Sequence, residues 1–279
     1  MASTNPQESV RDHSPLPKLL PTVRLVVTTS AGLNQIDLPE CRRRGIAVAN
    51  VANVYSADVA DLAVGLLIDV LRKISASNSY VKQGNWPTRG DYPLGSKFSF
   101  VNFVYCWEES GLELLDWEIS GMKLLKGLKP LVAVSLITPG RKSHMSRTLS
   151  MKICELAANC DALIICCGLT DQTHHLINKE VLSALGKKGV IVNIGRGPII
   201  DEKEMVRCLM EGEIAGAGLD VFENEPDVAK DFFALDNVVL SPHCAVFTPE
   251  SMKDLSELVV GNLVAFFSNK PLLSEYVDE

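Results

Sequence analysis

The chain has 279 residues, 47% hydrophobic and 22% charged, which fits about two ordinary globular domains and excludes a peptide, a fibrous chain or a globally disordered one. Its 27 Lys and Arg against 34 Asp and Glu leave a net charge of -7, which argues against nucleic acid or an anionic membrane as the main partner, because both call for a basic face. No apolar run approaches the roughly 20 residues of a membrane helix, and the eight cysteines, scattered and preceded by no signal peptide, read as reduced thiols of a cytoplasmic protein.

Residues 1–19, rich in Pro, Ser, Asn and charge and without periodicity, read as a loose leader or a replaced N-terminus. Val23 to Thr29 is a β-branched run that predicts a strand, Leu38 to Arg44 a short helix closed by Gly45, and Ile46 to Asn50 a second strand. From Ser56, read as a cap, apolar residues recur at helical spacing to Arg72 and predict a long, largely buried helix. In the second half, strands are expected at 162–167, 189–194, 216–221 and 237–241, helices at 179–185 and 202–210, and a closing helix at 249–268. That alternation predicts an α/β protein with a parallel sheet covered by helices. Residues 99–150 fit neither pattern: they open on Phe and Val, hold Trp107 and Trp117, then turn Lys-, Ser- and Arg-rich without a cap or strand alternation.

Three runs in the second half carry chemistry. Ile191-Val-Asn-Ile-Gly-Arg-Gly-Pro delivers Arg196 into a glycine-flanked turn at a strand's carboxyl end, where open α/β sheets bind ligands. A guanidinium there suits a carboxylate and a carbonyl oxygen, although an Arg that only tethers two loops would read the same. Ala215-Gly-Ala-Gly-Leu-Asp-Val-Phe-Glu-Asn-Glu-Pro ends a strand with Asp220 and then Glu225, and Val238-Val-Leu-Ser-Pro-His ends one with His243. Singly, such residues are often solvated loop positions; together they supply acid/base chemistry beside a carboxylate anchor. Cys166-Cys167 reads as the apolar finish of a buried strand, and His174-His175 lacks partners at zinc-ligand spacing, so no metal is expected.

These runs, with Thr28-Thr-Ser-Ala-Gly-Leu-Asn, resemble the signatures of the D-isomer-specific 2-hydroxyacid dehydrogenases, and most closely the glyoxylate/hydroxypyruvate reductase branch, over about 24–97 and 153–279. The resemblance implies hydride transfer between NADP or NAD, with NADPH favoured, and C2 of a small 2-oxo acid. Arg196 would hold the substrate carboxylate, and His243 would protonate the carbonyl oxygen. Glu225 would hydrogen-bond His243 and keep its imidazolium available near neutral pH. Ser30, Ala31 and Gly32 would grip the carboxylate from a second domain; Ile194, Gly195, Arg196 and Asp220 would face the cofactor, Asp220 at the nicotinamide carboxamide. The implied fold is a Rossmann-like parallel-sheet domain, 56–250, with its first β-α-β unit disrupted, plus a truncated flavodoxin-like substrate domain from 1–55 and 251–279. A homodimer through the helix beginning near Ser56 is implied as well.

One family feature is missing. No G-x-G-x-x-G occurs in the chain, although the resemblance expects a glycine-rich turn and helix N-terminus for the cofactor pyrophosphate just after residue 97. Residues 107–152 read instead as a family segment in the wrong frame, and 99–152 as aberrant. With each codon begun at the third base of the present one, Asp116-Trp117-Glu118 must encode Leu-Gly and Met122-Lys123 must encode Glu, in register with a Rossmann fingerprint. A real insertion, or a catalytically dead, cofactor-deficient isoform acting through dimerisation or not at all, is the alternative.

Overall fold

The computed structural model of the chain describes residues 22–30, 32–33, 35–51, 53–96, 103–107, 132–135 and 153–276. Two compact units divide it, one from residues up to 52 and from 253 on, the other from 53–252. The expected leader, Ala31, and most of 99–152 lie outside the described residues.

In the first unit, β1 (Leu25–Val27) and β2 (Ala47–Ala49) pair in parallel, a geometry that needs a crossover element between them. That element is α1 (Leu38–Arg43), started by the Asp37 carboxylate, which accepts the Glu40 N–H at 3.0 Å, and stopped at Gly45 with φ +65°. Cys41, Ile46 and Val48 form its small core, with Val23, Val26, Leu38 and Tyr276 against them. The C-terminal tail is tied in by Asn262, fully buried, whose Oδ1 accepts the N–H groups of Leu273 and Ser274.

The second unit opens with α2 (Ser56–Arg72), α3 (Ile74–Lys82) and α4 (Trp86–Arg89). Its sheet is built from β3 (Phe103–Trp107), β4 (Val132–Ser135), β5 (Ala162–Ile165), β6 (Val190–Asn193), β7 (Gly216–Leu219) and β8 (Val238–Leu240). All pairings are parallel, in the order β4-β3-β5-β6-β7-β8. Helices α5 (Lys179–Leu185) and α6 (Glu202–Met210) lie between strands, and α7 (Pro249–Phe267) closes the chain.

Both faces of the sheet at β5, β6 and β7 are covered, which explains the unbroken apolar runs there. Ala162, Ile164, Val190 and Val192 meet Ala63, Leu66, Leu67 and Val70 of α2. The alternate residues Leu163, Ile165, Ile191 and Leu219 meet Val181, Leu182, Met205 and Leu209. β7 reads Gly-Ala-Gly-Leu because α2 lies directly on it: a Cβ at Gly218 would stand 2.9 Å from Leu66 Cβ, and one at Gly216 2.7 Å from a Val70 methyl.

One expectation is corrected. Ser56 does not cap α2: Tyr55 takes the cap position without a side-chain bond, and Ser56 is the first helical residue, its Oγ buried with no hydrogen-bond partner. Within 99–152, the described residues 103–107 and 132–135 are neighbouring strands, and 103–107 pairs with β5. Aromatic and β-branched residues such as Phe103, Val104 and Tyr105 suit a strand whatever follows them.

Candidate functional site

The carboxyl ends of β6, β7 and β8 carry the residues singled out above. β6 ends at Asn193, 1% exposed, whose side-chain amide forms the next turn: Oδ1 accepts the Gly195 N–H at 3.1 Å and Nδ2 donates to the Arg196 carbonyl at 3.0 Å. The two glycines beside Arg196 are required by protein backbone. A Cβ on Gly195 would stand 2.6 Å from the Cys167 carbonyl oxygen, and one on Gly197 1.8 Å from the Phe222 carbonyl. Between them Arg196 is extended, its Nη1 donating to the Gly195 carbonyl at 2.7 Å. Burial pushes the guanidinium below its ordinary pKa, and the nearby Glu225 carboxylate opposes that shift. Ile194 packs partly buried on the α2 side of the sheet.

Asp220 follows β7 and is 1% exposed. Its carboxylate accepts the N–H groups of Cys244 at 3.0 Å and Ala245 at 3.2 Å, and its carbonyl accepts that of His243 at 2.8 Å. The carboxylate that the resemblance sets at the nicotinamide carboxamide is thus also the tie of the loop carrying His243. Its bonds hold His243 at φ +51°, a left-handed conformation uncommon outside glycine.

Glu225 and His243 meet directly: Glu225 Oε2 lies 2.7 Å from His243 Nδ1, and Glu225 Oε1 accepts the Phe222 N–H at 3.0 Å. Both side chains are open to a ligand, His243 at 46% and Glu225 at 35% exposure. In the first unit, Ser30 Oγ donates to the Gly32 carbonyl at 2.7 Å and accepts from Gln35 Nε2 at 2.8 Å. Ser30 and Gly32 therefore belong to one hydrogen-bonded loop that also contains Gln35, a residue the sequence reading passed over.

Three further residues were missed. His175, at φ +48°, bonds Glu223 Oε1 through Nε2 at 2.8 Å and stacks on His174. Glu223 in turn donates its N–H to Glu202 at 2.7 Å. Glu223 stands in the quoted Phe-Glu-Asn-Glu-Pro run two residues from Glu225, but the run alone does not say which carboxylate meets which histidine. Burial pushes the Cys166 thiol far above its usual range, which fits its reading as an apolar strand end. Among the described residues, no cluster of three His, Cys, Asp or Glu could hold a metal ion, and no helix is long and apolar enough to cross a membrane.

Residues 122–245 match the family model for the D-isomer specific 2-hydroxyacid dehydrogenase, NAD binding domain, a span that takes in part of the 99–152 stretch. The chain is 48% identical over 256 residues to a glyoxylate/hydroxypyruvate reductase of Arabidopsis thaliana, covering 91% of this chain and 76% of that one. It is 42% identical over 259 residues to a hydroxyphenylpyruvate reductase of Plectranthus scutellarioides, covering 92% and 80%. Among solved structures, the NADPH-dependent glyoxylate/hydroxypyruvate reductase of Sinorhizobium meliloti, in complex with NADP and malonate, matches with a TM-score of 0.79 at 32% identity, covering 93% of this chain and 79% of that chain.

Proposed function

The chain belongs to the D-isomer-specific 2-hydroxyacid dehydrogenase family, and from that premise we propose that it reduces glyoxylate or hydroxypyruvate to the 2-hydroxy acid, of D configuration where C2 is stereogenic, with NADPH. The observation that carries this reading is the Glu225–His243 pair at 2.7 Å, on the same sheet edge as Arg196. The glyoxylate/hydroxypyruvate reductases among the relatives support the substrate class, and the NADPH-dependent neighbour supports the choice of cofactor.

The sheet fits a dinucleotide. Its strand order reverses between β3 and β5, and ligands of open α/β sheets rest at such a switch point, outside the carboxyl ends of the strands. Ile194, Gly195 and Arg196 would hold the group there, and when bound it supplies the hydride for C2. Arg196 then anchors the substrate: with Nη1 on the Gly195 carbonyl, the rest of the guanidinium fork binds the carboxylate and polarises the C2 carbonyl. Glu225 takes the Nδ1 side of His243, so the Nε2 proton is the one handed to the carbonyl oxygen as C2 is reduced, and Nε2 takes it back in the reverse direction. Ser30, Ala31 and Gly32 are proposed to bind the substrate carboxylate. Asp220 is proposed to meet the nicotinamide carboxamide and to fix the loop under His243.

The proposed chemistry uses no metal. Homodimerisation is proposed through the helices after Tyr55, supported by Ile74, Val81 and Trp86, each at least half exposed. A cytoplasmic location is proposed on the thiols of Cys41, Cys154, Cys160, Cys208 and Cys244, which form no disulfide. A dead, cofactor-deficient isoform finds no support among relatives that are named as reductases.

NADPH fluorescence quenching and the loss of NADPH absorbance with hydroxypyruvate test the reading. Saturable binding with turnover that Arg196→Ala removes is the expected result. Absence of binding, or turnover indifferent to Arg196→Ala, would overturn it.

A further inference from the structure

The peptide joining Phe222 to Glu223 is gripped from three directions. Beneath it lies Gly197, directly after Arg196, so close that a Cβ there would stand 1.8 Å from the Phe222 carbonyl carbon and 2.4 Å from the Glu223 nitrogen. On a second side the Glu223 N–H donates to Glu202 Oε2 at 2.7 Å. Glu202 is the first residue of α6 and only 8% exposed. On the third side the Glu223 carboxylate meets His175 Nε2 at 2.8 Å, while the His175 N–H donates to the Pro198 carbonyl at 2.9 Å. His175 therefore bonds both the segment after Arg196 and the segment before Glu225. Its backbone is held at φ +48° to do so, a conformation that costs free energy unless other contacts stabilise it.

The same peptide leads straight to the acid/base pair. The Phe222 N–H donates to Glu225 Oε1 at 3.0 Å, and Glu225 Oε2 bonds His243 Nδ1 at 2.7 Å. A displacement at 222–223 is thus passed to Glu225 through one hydrogen bond and to the Arg196 turn through one van der Waals contact. Two carboxylates, Glu202 and Glu223, stand close enough to repel. Burial raises the Glu202 pKa, the Glu223 and Ala229 N–H groups pull it back, and the Glu223 charge adds to the rise. His175 is the partner placed against the Glu223 carboxylate.

We infer that His175 and Glu223 form a second His–Glu pair whose task is positioning: with Glu202 it clamps the 222–223 peptide between the Arg196 turn and Glu225, and so sets the register of substrate anchor and proton donor. Neither residue touches the reacting atoms. This rests on the proposed reductase reading for its kinetic consequence, and on the geometry alone for its structural one.

The test uses the full chain with Glu223→Ala, Glu223→Gln and His175→Asn, the last because asparagine tolerates a left-handed φ. Glu223→Ala and His175→Asn are expected to lower kcat for hydroxypyruvate by between about 10-fold and 100-fold, the loss a small misplacement of catalytic groups produces. NADPH affinity by fluorescence quenching should stay within about twofold, since neither His175 nor Glu223 is among the proposed cofactor contacts. Glu223→Gln, whose carbonyl still accepts from His175 Nε2, is expected to restore kcat. The imidazole resonances of His243 in nitrogen-15 spectra should move in Glu223→Ala and return in Glu223→Gln. Unchanged kcat and unchanged His243 resonances in Glu223→Ala would overturn the inference. So would a loss of kcat that Glu223→Gln shares or that follows a fall in melting temperature. If the wild-type chain does not turn over hydroxypyruvate, the reductase reading fails by itself, and the His243 resonances still decide whether the clamp exists.

Discussion

Asp220 holds His243 by backbone on both sides. Its carbonyl takes the His243 N–H at 2.8 Å, and its carboxylate takes the next two N–H groups, of Cys244 and Ala245, at 3.0 and 3.2 Å. A loop residue at φ +51° is thereby tied to the end of the neighbouring strand, so that the imidazole stands in one place before any ligand arrives.

Asp220→Ala should expose how much of the site depends on that tie. Two loop N–H groups lose their acceptor, at a cost of about 1–3 kcal/mol each when buried. Urea denaturation is expected to show a lower midpoint with an unchanged slope, and kcat should fall by about 100-fold or more. Asp220→Asn, which leaves an acceptor for only one of the two N–H groups, should fall between. An Asp220→Ala variant with wild-type kcat would mean that His243 is held by something else.

The acid itself is tested by His243→Gln and Glu225→Gln. Removing His243 should cost between about 100-fold and 10,000-fold in kcat, the usual range for a general acid, with NADPH affinity unchanged. Glu225→Gln keeps a hydrogen-bond acceptor for Nδ1 but loses the charge, so a smaller loss is expected. A kcat identical to wild type in Glu225→Gln would remove the Glu225 charge from the proton path.

Gly197→Ala asks whether the Arg196 turn and the 222–225 segment are one piece. The added carbon would stand 1.8 Å from the Phe222 carbonyl, so backbone must move, and overpacking of this kind costs about 1–3 kcal/mol. Since the displaced peptide also donates to Glu225, KM for hydroxypyruvate should rise and kcat should fall together. A variant that loses melting temperature with both kinetic constants intact would separate the turn from the acid/base pair.

Much of the scaffold could be read from residues whose local chemistry agrees with the fold. Asn178 and Asp201 cap α5 and α6 through the N–H groups of Glu180 and Glu204, and apolar β5 and β6 lie between covered faces, so their positions follow from pattern. Helix α3 was not foreseen because Ile74–Lys82 buries no residue and so has no apolar stripe to betray it. The strand at Phe103–Trp107 is hidden because Gly111, Gly121 and Gly127 after it lack the G-x-G-x-x-G spacing, although its own aromatic and β-branched content is that of a strand. At the site, Arg196, Glu225 and His243 stood out by type and by place at strand ends. The roles of Asp220, His175 and Glu223 did not, because their partners lie 21 to 48 residues away in sequence on other strands' loops or helices, and a motif read along the chain contains no such pairing.

Trp86 offers a test of assembly. It is 59% exposed in a short helix beside α3, where Ile74 and Val81 are also exposed, and a tryptophan left in water is a common anchor of a protein interface. Light scattering on Trp86→Glu is expected to give the monomer mass where wild type gives twice that value, with the far-ultraviolet dichroism unchanged. A monomeric wild type would sink the dimer proposal, and a dimer that survives Trp86→Glu would move it to another face.

No G-x-G-x-x-G stands in the chain, yet the sheet reverses order at the place where a pyrophosphate-binding turn is expected. The reading that 107–152 is a family segment in another frame makes that contrast measurable. A variant carrying, over those residues, the sequence encoded from the third base of each present codon gains glycines whose open backbone N–H groups can meet a pyrophosphate at a helix N-terminus. NADPH titration is expected to show binding about tenfold tighter or better than in the chain as it stands, equivalent to about 1.4 kcal/mol. Transcript sequencing should show the one-frame offset between codons 107 and 152. Equal affinity in the two chains, or an uninterrupted message with saturable NADPH binding, would make the stretch a genuine insertion and assign the pyrophosphate to residues outside the glycine pattern.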